Sequence, residues 1–181
     1  MPNEIALTSD LDLFILALVQ RGLETMYDFK ARAGLSVGSS GPILARLEKA
    51  GLVKLTGTGS RDSRRYSITK AGEKALDSNW QALLDTRPTD FDAVLRIGYL
   101  AWALGRRDAL GKFVEKASAS LKDVAATRRA EANQLQGSLG DEASGQAFRW
   151  LRTFCEAARF DAQADALKQA AEEIAKKKEK K

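Results

Sequence analysis

Histidine is absent from the 181-residue chain, and cysteine occurs once, as Cys155. Without histidine the commonest general base and the commonest metal ligand are both missing. One thiol with no imidazole cannot build any usual zinc site. A single cysteine also excludes an intrachain disulfide, which suits a reducing cytoplasm. Long apolar runs are lacking too: Asp10, Asp12, Gln20 and Arg21 bracket the most apolar stretch, well short of the roughly 18 residues of a membrane span. The opening MPNEIALTSD has neither the basic nor the apolar region of a secretory signal. The glycine-rich segment Thr56-Gly57-Thr58-Gly59-Ser60 has no Gly-Lys-Ser/Thr after it and no dinucleotide fingerprint around it. A carboxylate or lysine enzyme is open to the composition, but no motif points to one. The expectation is a cytoplasmic protein without metal, cofactor or enzymatic activity.

Apolar residues make up 44% of the chain and charged residues 29%, a balance that builds a globular protein with a real core. Basic residues outnumber acidic ones, giving a formal charge of +5, which permits a polyanionic partner without requiring one. Part of that excess lies in the terminal run Lys176 to Lys181, read as a solvated end.

Periodicity divides the chain. Leu11, Phe14, Ile15 and Leu18 recur at helical spacing, predicting a helix over residues 10–20 with one buried stripe. A short helix over 24–33 turns Met26, Phe29 and Ala33 inward and stops at Gly34. Ser36 can cap a third helix, with Ile43 or Leu44, Leu47 and Ala50 inside and Gly51 ending it. A start at Ser39 or Ser40 puts Pro42 comfortably in the first turn, whereas a start at Ser36 puts Pro42 further in, with a slight kink. The family resemblance described below favours the start at Ser36. Then the period changes to two: Val53 and Leu55 share one face of a run over 52–56, and Tyr66 and Ile68 share one face over 64–69. Two such runs joined by a loop of about seven residues rich in Gly, Ser and Thr predict a β-hairpin. Thr69 caps a fourth helix over 70–84, and a polar break containing Pro88 follows. Beyond it the pattern is helical, with QGSLGDEASG as a loop and a last helix about 45 Å long. The fold class expected is mainly α with a two-stranded hairpin, divided into residues 1–85 and 86–181.

Three helices followed by a hairpin is the order of a winged helix-turn-helix. The residues go further than the order. LDLFILALV, Tyr27-Asp28-Phe29, GSSGPILARLEKAGLV and RRYSITKAGEKAL together resemble the PadR-like family of bacterial transcriptional regulators, over roughly Leu11 to Leu76. Gly41 stands where that family usually has an aromatic residue before the helical proline, and Thr25-Met26 stand in place of its His-Gly. A MarR-like or other winged-helix regulator is the nearest rival. The resemblance implies a sequence-specific regulator of transcription, a dimeric repressor on a pseudo-palindromic double-stranded operator, relieved in some members by a small aromatic or lipophilic effector.

On that reading the DNA-contacting residues are Ser36, Ser39, Ser40 and Arg46 on the third helix, with Lys54, Arg61, Arg64 and Arg65 on the hairpin. Tyr27, Phe29 and Tyr66 are assigned to the core. The C-terminal helices resemble, more weakly, the region by which the family dimerises. Leu110, Phe113, Val114, Leu121, Phe148, Leu151, Phe154 and Ala158 are the expected homodimer interface. Tyr99, Trp102 and Trp150 are candidate effector-lining residues, with ordinary packing as the competing reading. Two other functional classes compete. One is a phosphate-cradling enzyme at the glycine-rich loop, against which the missing Gly-Lys-Ser/Thr counts. The other is an architectural or partner-binding protein that uses the winged helix without operator specificity.

Overall fold

A computed structural model describes residues 9–59, 63–86, 90–137 and 144–176. Their elements run α1 (Asp10–Gln20), α2 (Met26–Ala33), α3 (Val37–Lys49), β1 (Val53–Thr58), β2 (Arg64–Ile68), α4 (Lys70–Leu84), α5 (Phe91–Ala103), α6 (Arg107–Gly137) and α7 (Ser144–Lys176). The chain is mainly helical with one two-stranded antiparallel hairpin, as the periodicity predicts. It divides into two compact units. Met1–Thr86 and Leu95–Arg106 form the first, Arg87–Val94 and Arg107–Lys181 the second. Helix α5 is thus shared, its later part belonging with the hairpin-containing unit.

In the first unit, α1 is the centre. The expected single stripe underestimates it, because every residue from Asp12 to Val19 is buried. Helices α3 and α4 and strand β2 pack around it, so it has no solvent face along that stretch, and a helix apolar on all sides is the one such a position requires. The helix-turn-helix is fixed by local chemistry. Thr25 and Asp28 form a reciprocal capping box at the start of α2, which holds the Asp28 carboxyl below its ordinary pKa through the Thr25 hydroxyl. Gly34 ends α2 in the left-handed region at φ 68°. Ser36 then caps α3 by accepting from the Ser39 amide at 3.1 Å. The third helix therefore starts from the Ser36 cap, with Pro42 inside.

The hairpin pairs Val53 with Ile68, Lys54 with Ser67 and Leu55 with Tyr66, then shifts register before Gly57 meets Arg65 and Thr58 meets Arg64. β1 runs two residues beyond the expected end at Thr56. The register shift is a bulge, which bends and twists a strand, and it accompanies a change in burial. Val53 and Tyr66 are buried, but Leu55, expected on the inner face with Val53, is 44% exposed. Behind the hairpin, Thr69 accepts from the Gly72 amide at 3.1 Å and donates to the Gly51 carbonyl at 2.7 Å, capping α4 and tying it to the start of β1. Gly72 has no room for a side chain: a Cβ there would overlap the Leu52 carbonyl oxygen and lie 2.8 Å from Ile68 Cγ1. Trp80, buried on α4, is a core residue the sequence pattern passes over.

In the second unit α6 and α7 are antiparallel. Ser118 donates to the Ala164 carbonyl at 3.1 Å, Lys122 pairs with Asp165 at 2.8 Å, Arg128 with Glu156 at 3.5 Å and Arg149 with Glu131 at 3.4 Å. Partners late in α6 thus meet partners early in α7. Ala117, Ala125 and Ala132 on α6 and Ala157 and Ala164 on α7 are buried. Side chains that small let two backbones approach closely, consistent with the serine-to-carbonyl bond across the seam.

Candidate nucleic-acid interface

Helix α3 presents two contrasting faces. Ser40, Ile43, Leu44 and Leu47 are buried, a spacing of i, i+3, i+4, i+7 that makes Ser40 part of the inner stripe. Its hydroxyl donates to the Ser36 carbonyl at 3.0 Å. Ser36 and Ser39 are joined through their hydroxyls at 2.9 Å, and the Ser39 hydroxyl is also close to the Ser36 carbonyl. The three serines expected to reach outward are therefore engaged in their own helix start. For Ser40 this is a correction, because it has no exposed surface. The opposite face carries Val37, Gly38, Pro42, Ala45, Arg46 and Lys49, all exposed. Val37, Gly38, Pro42 and Ala45 carry no polar side chain, so residue type alone does not mark them as a contact face. A helical wheel anchored on Ile43, Leu44 and Leu47 would have turned Ser40 in and Ala45 out.

Arg46 is held from the side. Its guanidinium hydrogen-bonds the carboxylate of Asp12 on α1, a carboxylate whose side chain is only 8% exposed. A buried charge with a single cationic partner is strongly dependent on that partner. Arg46 is thus a tie between α3 and α1 as well as an exposed cation. Its neighbour in kind is Arg96 on α5, whose Nε lies 2.5 Å from Asp10 at the other end of the same helical turn. The Arg21 guanidinium, at the end of α1, donates to the Ala103 carbonyl.

The hairpin places cations beside α3. Arg64 lies 4.0 Å from Glu48 of α3, and Arg65 lies 3.9 Å from Glu24 in the α1–α2 connection. Both arginines stay more than half exposed, so these long pairs are weak and leave the guanidinium groups available to another anion. Lys54 on β1 is exposed as well. Arg61, also expected here, lies outside the described residues. The Tyr66 amide donates to the Glu24 carbonyl at 2.8 Å, which locks β2 against the helix-turn-helix. Phe29 and Tyr66 are core, as expected, but Tyr27 is half exposed on the outer side of α2.

The expected dimer residues fall into two groups. Leu110, Phe113, Val114 and Leu121 are buried within the chain; with little surface left to offer, they are corrected from interface to core. Phe148, Leu151, Phe154 and Ala158 on α7 are exposed, and Cys155 is exposed among them. They line the side of α7 opposite to Thr153, Ala157, Ala164 and Leu167, which are buried. Apolar residues on two opposite faces are why α7 does not look like an ordinary amphipathic helix.

The candidate effector residues do not form one group within a unit. Tyr99 packs edge-on against Phe14 with ring centres 5.2 Å apart and lies 5.9 Å from Trp102, all in the first unit; burial raises the Tyr99 pKa. Trp150 belongs to the second unit, stacked on Phe154 at 5.8 Å. A half-open cavity of about 560 Å³ lies between α6 and α7, lined by Gly111, Val114, Ser118, Ala119, Lys122 and Lys168 among others, and none of the three aromatics borders it. Among the described residues no group of three or more His, Cys, Asp or Glu is placed to hold a metal ion. No helix there is long and apolar enough to cross a membrane.

No family model and no curated protein matches the chain. Among solved structures it is similar to the crystal structure of Bacillus subtilis PadR in complex with operator DNA, at 21% sequence identity and a TM-score of 0.38, over 92% of this chain and 99% of that one.

Proposed function

We propose that this chain is a double-stranded-DNA-binding regulator of transcription, with α3 entering the major groove and the hairpin acting as a wing on the flanking backbone. One observation carries the reading: a helix-turn-helix whose second helix exposes a side-chain face, bordered by a hairpin with Lys54, Arg64 and Arg65 exposed. A duplex needs that pairing, a protrusion that fits a groove about 12 Å wide and cations beside it for phosphates. The +5 formal charge of the chain favours the same partner.

The regulator acts as a homodimer. One winged helix spans few base pairs, and two-fold pairing doubles the site into a pseudo-palindrome. The exposed face of α7 supports this, since Phe148, Leu151 and Phe154 are half or more exposed on one side of a helix, and apolar surface concentrated in this way marks an interaction site. Its activity is repression in the cytoplasm by occupancy of the operator, with no enzymatic step. An aromatic or lipophilic effector, where one acts, would meet the half-exposed Trp102 beside Tyr99 and change its fluorescence.

The test is selection of genomic fragments with the purified full-length chain, followed by titration of a selected duplex over a range of salt. A specific site at least a thousandfold tighter than random duplex is expected. Arg65→Ala should weaken binding to all duplexes and reduce the log–log salt slope by about one unit, because one phosphate contact releases roughly 0.9 counterion. An unchanged slope would remove the wing from the backbone. A second reading is favoured by the scarcity of polar side chains on the outer face of α3: an architectural protein that holds any duplex. Equal affinity for selected and random fragments at fixed salt would establish it instead.

A further inference from the structure

The outer face of α3 has an unusual chemistry for a helix that reads bases. From Val37 to Ala45 its exposed residues are Val37, Gly38, Pro42 and Ala45, none of which carries a side-chain donor or acceptor. The serines that could supply one are tied to the helix start, Ser40 completely inside. The only long polar side chains exposed on α3 come later, at Arg46, bound to Asp12, and Lys49. Bidentate readout of guanine or adenine by Arg, Asn or Gln therefore has no residue to perform it over the first two turns. What this face can offer is methyl and methylene groups, with Val37 43% exposed at its leading end. Gly38 adds closeness: its Cβ position is open, the nearest atom being Ser36 Oγ at 3.9 Å, so the absence of a side chain there is not imposed by packing.

In the major groove one base presents an apolar group, the C5-methyl of thymine, and alanine and similar apolar side chains recognise it by contact. We propose that α3 selects its site by burying thymine methyls against Val37, Pro42 and Ala45, with Gly38 letting the backbone approach the base edges. This rests on the DNA-binding reading above and deepens it. Exposed cations at Lys49, Lys54 and Arg64 flank the apolar face and supply the backbone affinity that methyl contacts do not. The site it selects is thymine-containing at the positions under the first two turns of α3, and its discrimination per base pair is modest, about fourfold for each methyl removed.

The experiment uses the full-length chain and a duplex recovered by genomic selection. Each thymine of the half-site is replaced in turn by deoxyuridine, which removes the methyl and leaves Watson–Crick pairing unchanged. At one to three adjacent positions affinity should fall about fourfold, and a 5-methylcytosine elsewhere should not restore it. Val37→Ala, in the first turn and facing solvent, should bring the thymine-to-uracil ratio at one of those positions close to one and leave the others as they are. A preference due to duplex shape would persist in the variant, and that result would overturn the contact mechanism. Specific binding with thymine and uracil equivalent throughout would overturn methyl readout while leaving the regulator reading intact. Failure to select any duplex over random sequence would instead remove sequence-specific regulation, and this inference with it.

Discussion

The two units are held together by different chemistry. The first is closed by short, specific devices: the Thr25–Asp28 capping box, the Ser36 and Thr69 caps, the Gly72 approach to Leu52, and charged ties from Asp10 and Asp12 to Arg96 and Arg46. The second is two long helices joined by buried alanines and a surface row of ion pairs, in which Lys122, Arg128 and Arg129 face Asp161, Asp165 and Glu156. The first scatters its exposed large apolar side chains, Tyr27, Val37, Leu55, Leu95 and Trp102, over α2, α3, β1 and α5. The second leaves Phe148, Leu151 and Phe154 outside. The difference is one of arrangement: scattered apolar residues are ordinary on a folded surface, whereas three on one side of a single helix form a continuous row.

That contrast can be broken at its strongest point by charging the open face of α7. Leu151→Glu with Phe154→Glu removes two large apolar side chains from each chain of the proposed dimer, four in all. Each is already about half exposed and so is worth roughly 1 kcal/mol, and dissociation should rise about a thousandfold. Light scattering should change from twice 19.7 kDa to the single-chain mass; a parent that is already monomeric at micromolar concentration would remove the dimer. Helicity should be retained, because neither side chain is part of the α6–α7 seam.

Next in size is Gly72→Ala. The added methyl meets backbone, which cannot rotate away, and overpacking of this kind costs on the order of 3 kcal/mol. Denaturant unfolding should show the loss, and an unchanged midpoint would mean that α4 is not held as closely to Leu52 as the structure has it. Arg46→Ala removes the partner of the nearly buried Asp12 carboxylate, at a cost of about 1 to 2 kcal/mol. Asp12→Asn in the same chain should recover part of it. Recovery by the second substitution identifies the tie to α1, because a residue that only contacts DNA would leave stability unmoved.

The smallest effect is on pH dependence. Hydrogen bonds from Arg129 hold the Asp161 carboxyl below its ordinary pKa, and those from Arg128 do the same for Glu131. Groups with depressed folded-state pKa values stabilise fully above the ordinary carboxylate range, and the contribution is lost as pH falls through their lowered values. The Asp165 hydrogen bond raises the Lys122 pKa, and that contribution is lost only as pH rises through the raised value. The helix pair should therefore melt at an even temperature through neutral pH and decline below the carboxylate range. Being exposed to solvent, these pairs should also weaken with salt. Asp161→Asn should flatten part of the acid decline.

Much of this was legible in the sequence. The order of elements followed from the switch between helical and two-residue periods, and the cap at Thr69 followed from residue type and position. The start at Ser36, by contrast, was chosen over Ser39 or Ser40 only through the resemblance. The differences between sequence expectation and structure have a common cause. Serines on α3 were placed outward because they are polar, but Ser40 lies in register with Ile43, Leu44 and Leu47, and a hydroxyl can be satisfied by its own helix carbonyl. Leu110, Phe113, Val114 and Leu121 were assigned to a second chain for being apolar on a long helix, and α7 offered two apolar sides between which spacing alone could not choose. Leu55 was placed inward by alternation, which holds only while the register does, and the bulge before Gly57 breaks it.

The sequence by itself determined the local chemistry of this protein: a cap, a turn glycine and a repeat period act between residues a few positions apart, and the chain carries that information directly. Which side of each element is covered was decided only by the tertiary structure. Burial depends on neighbours distant in the chain, such as Asp12 for Arg46, Leu52 for Gly72, and Ala164 for Ser118. That decision turned Ser40 of α3 inward and gave the helix's outer face to Val37, Pro42 and Ala45.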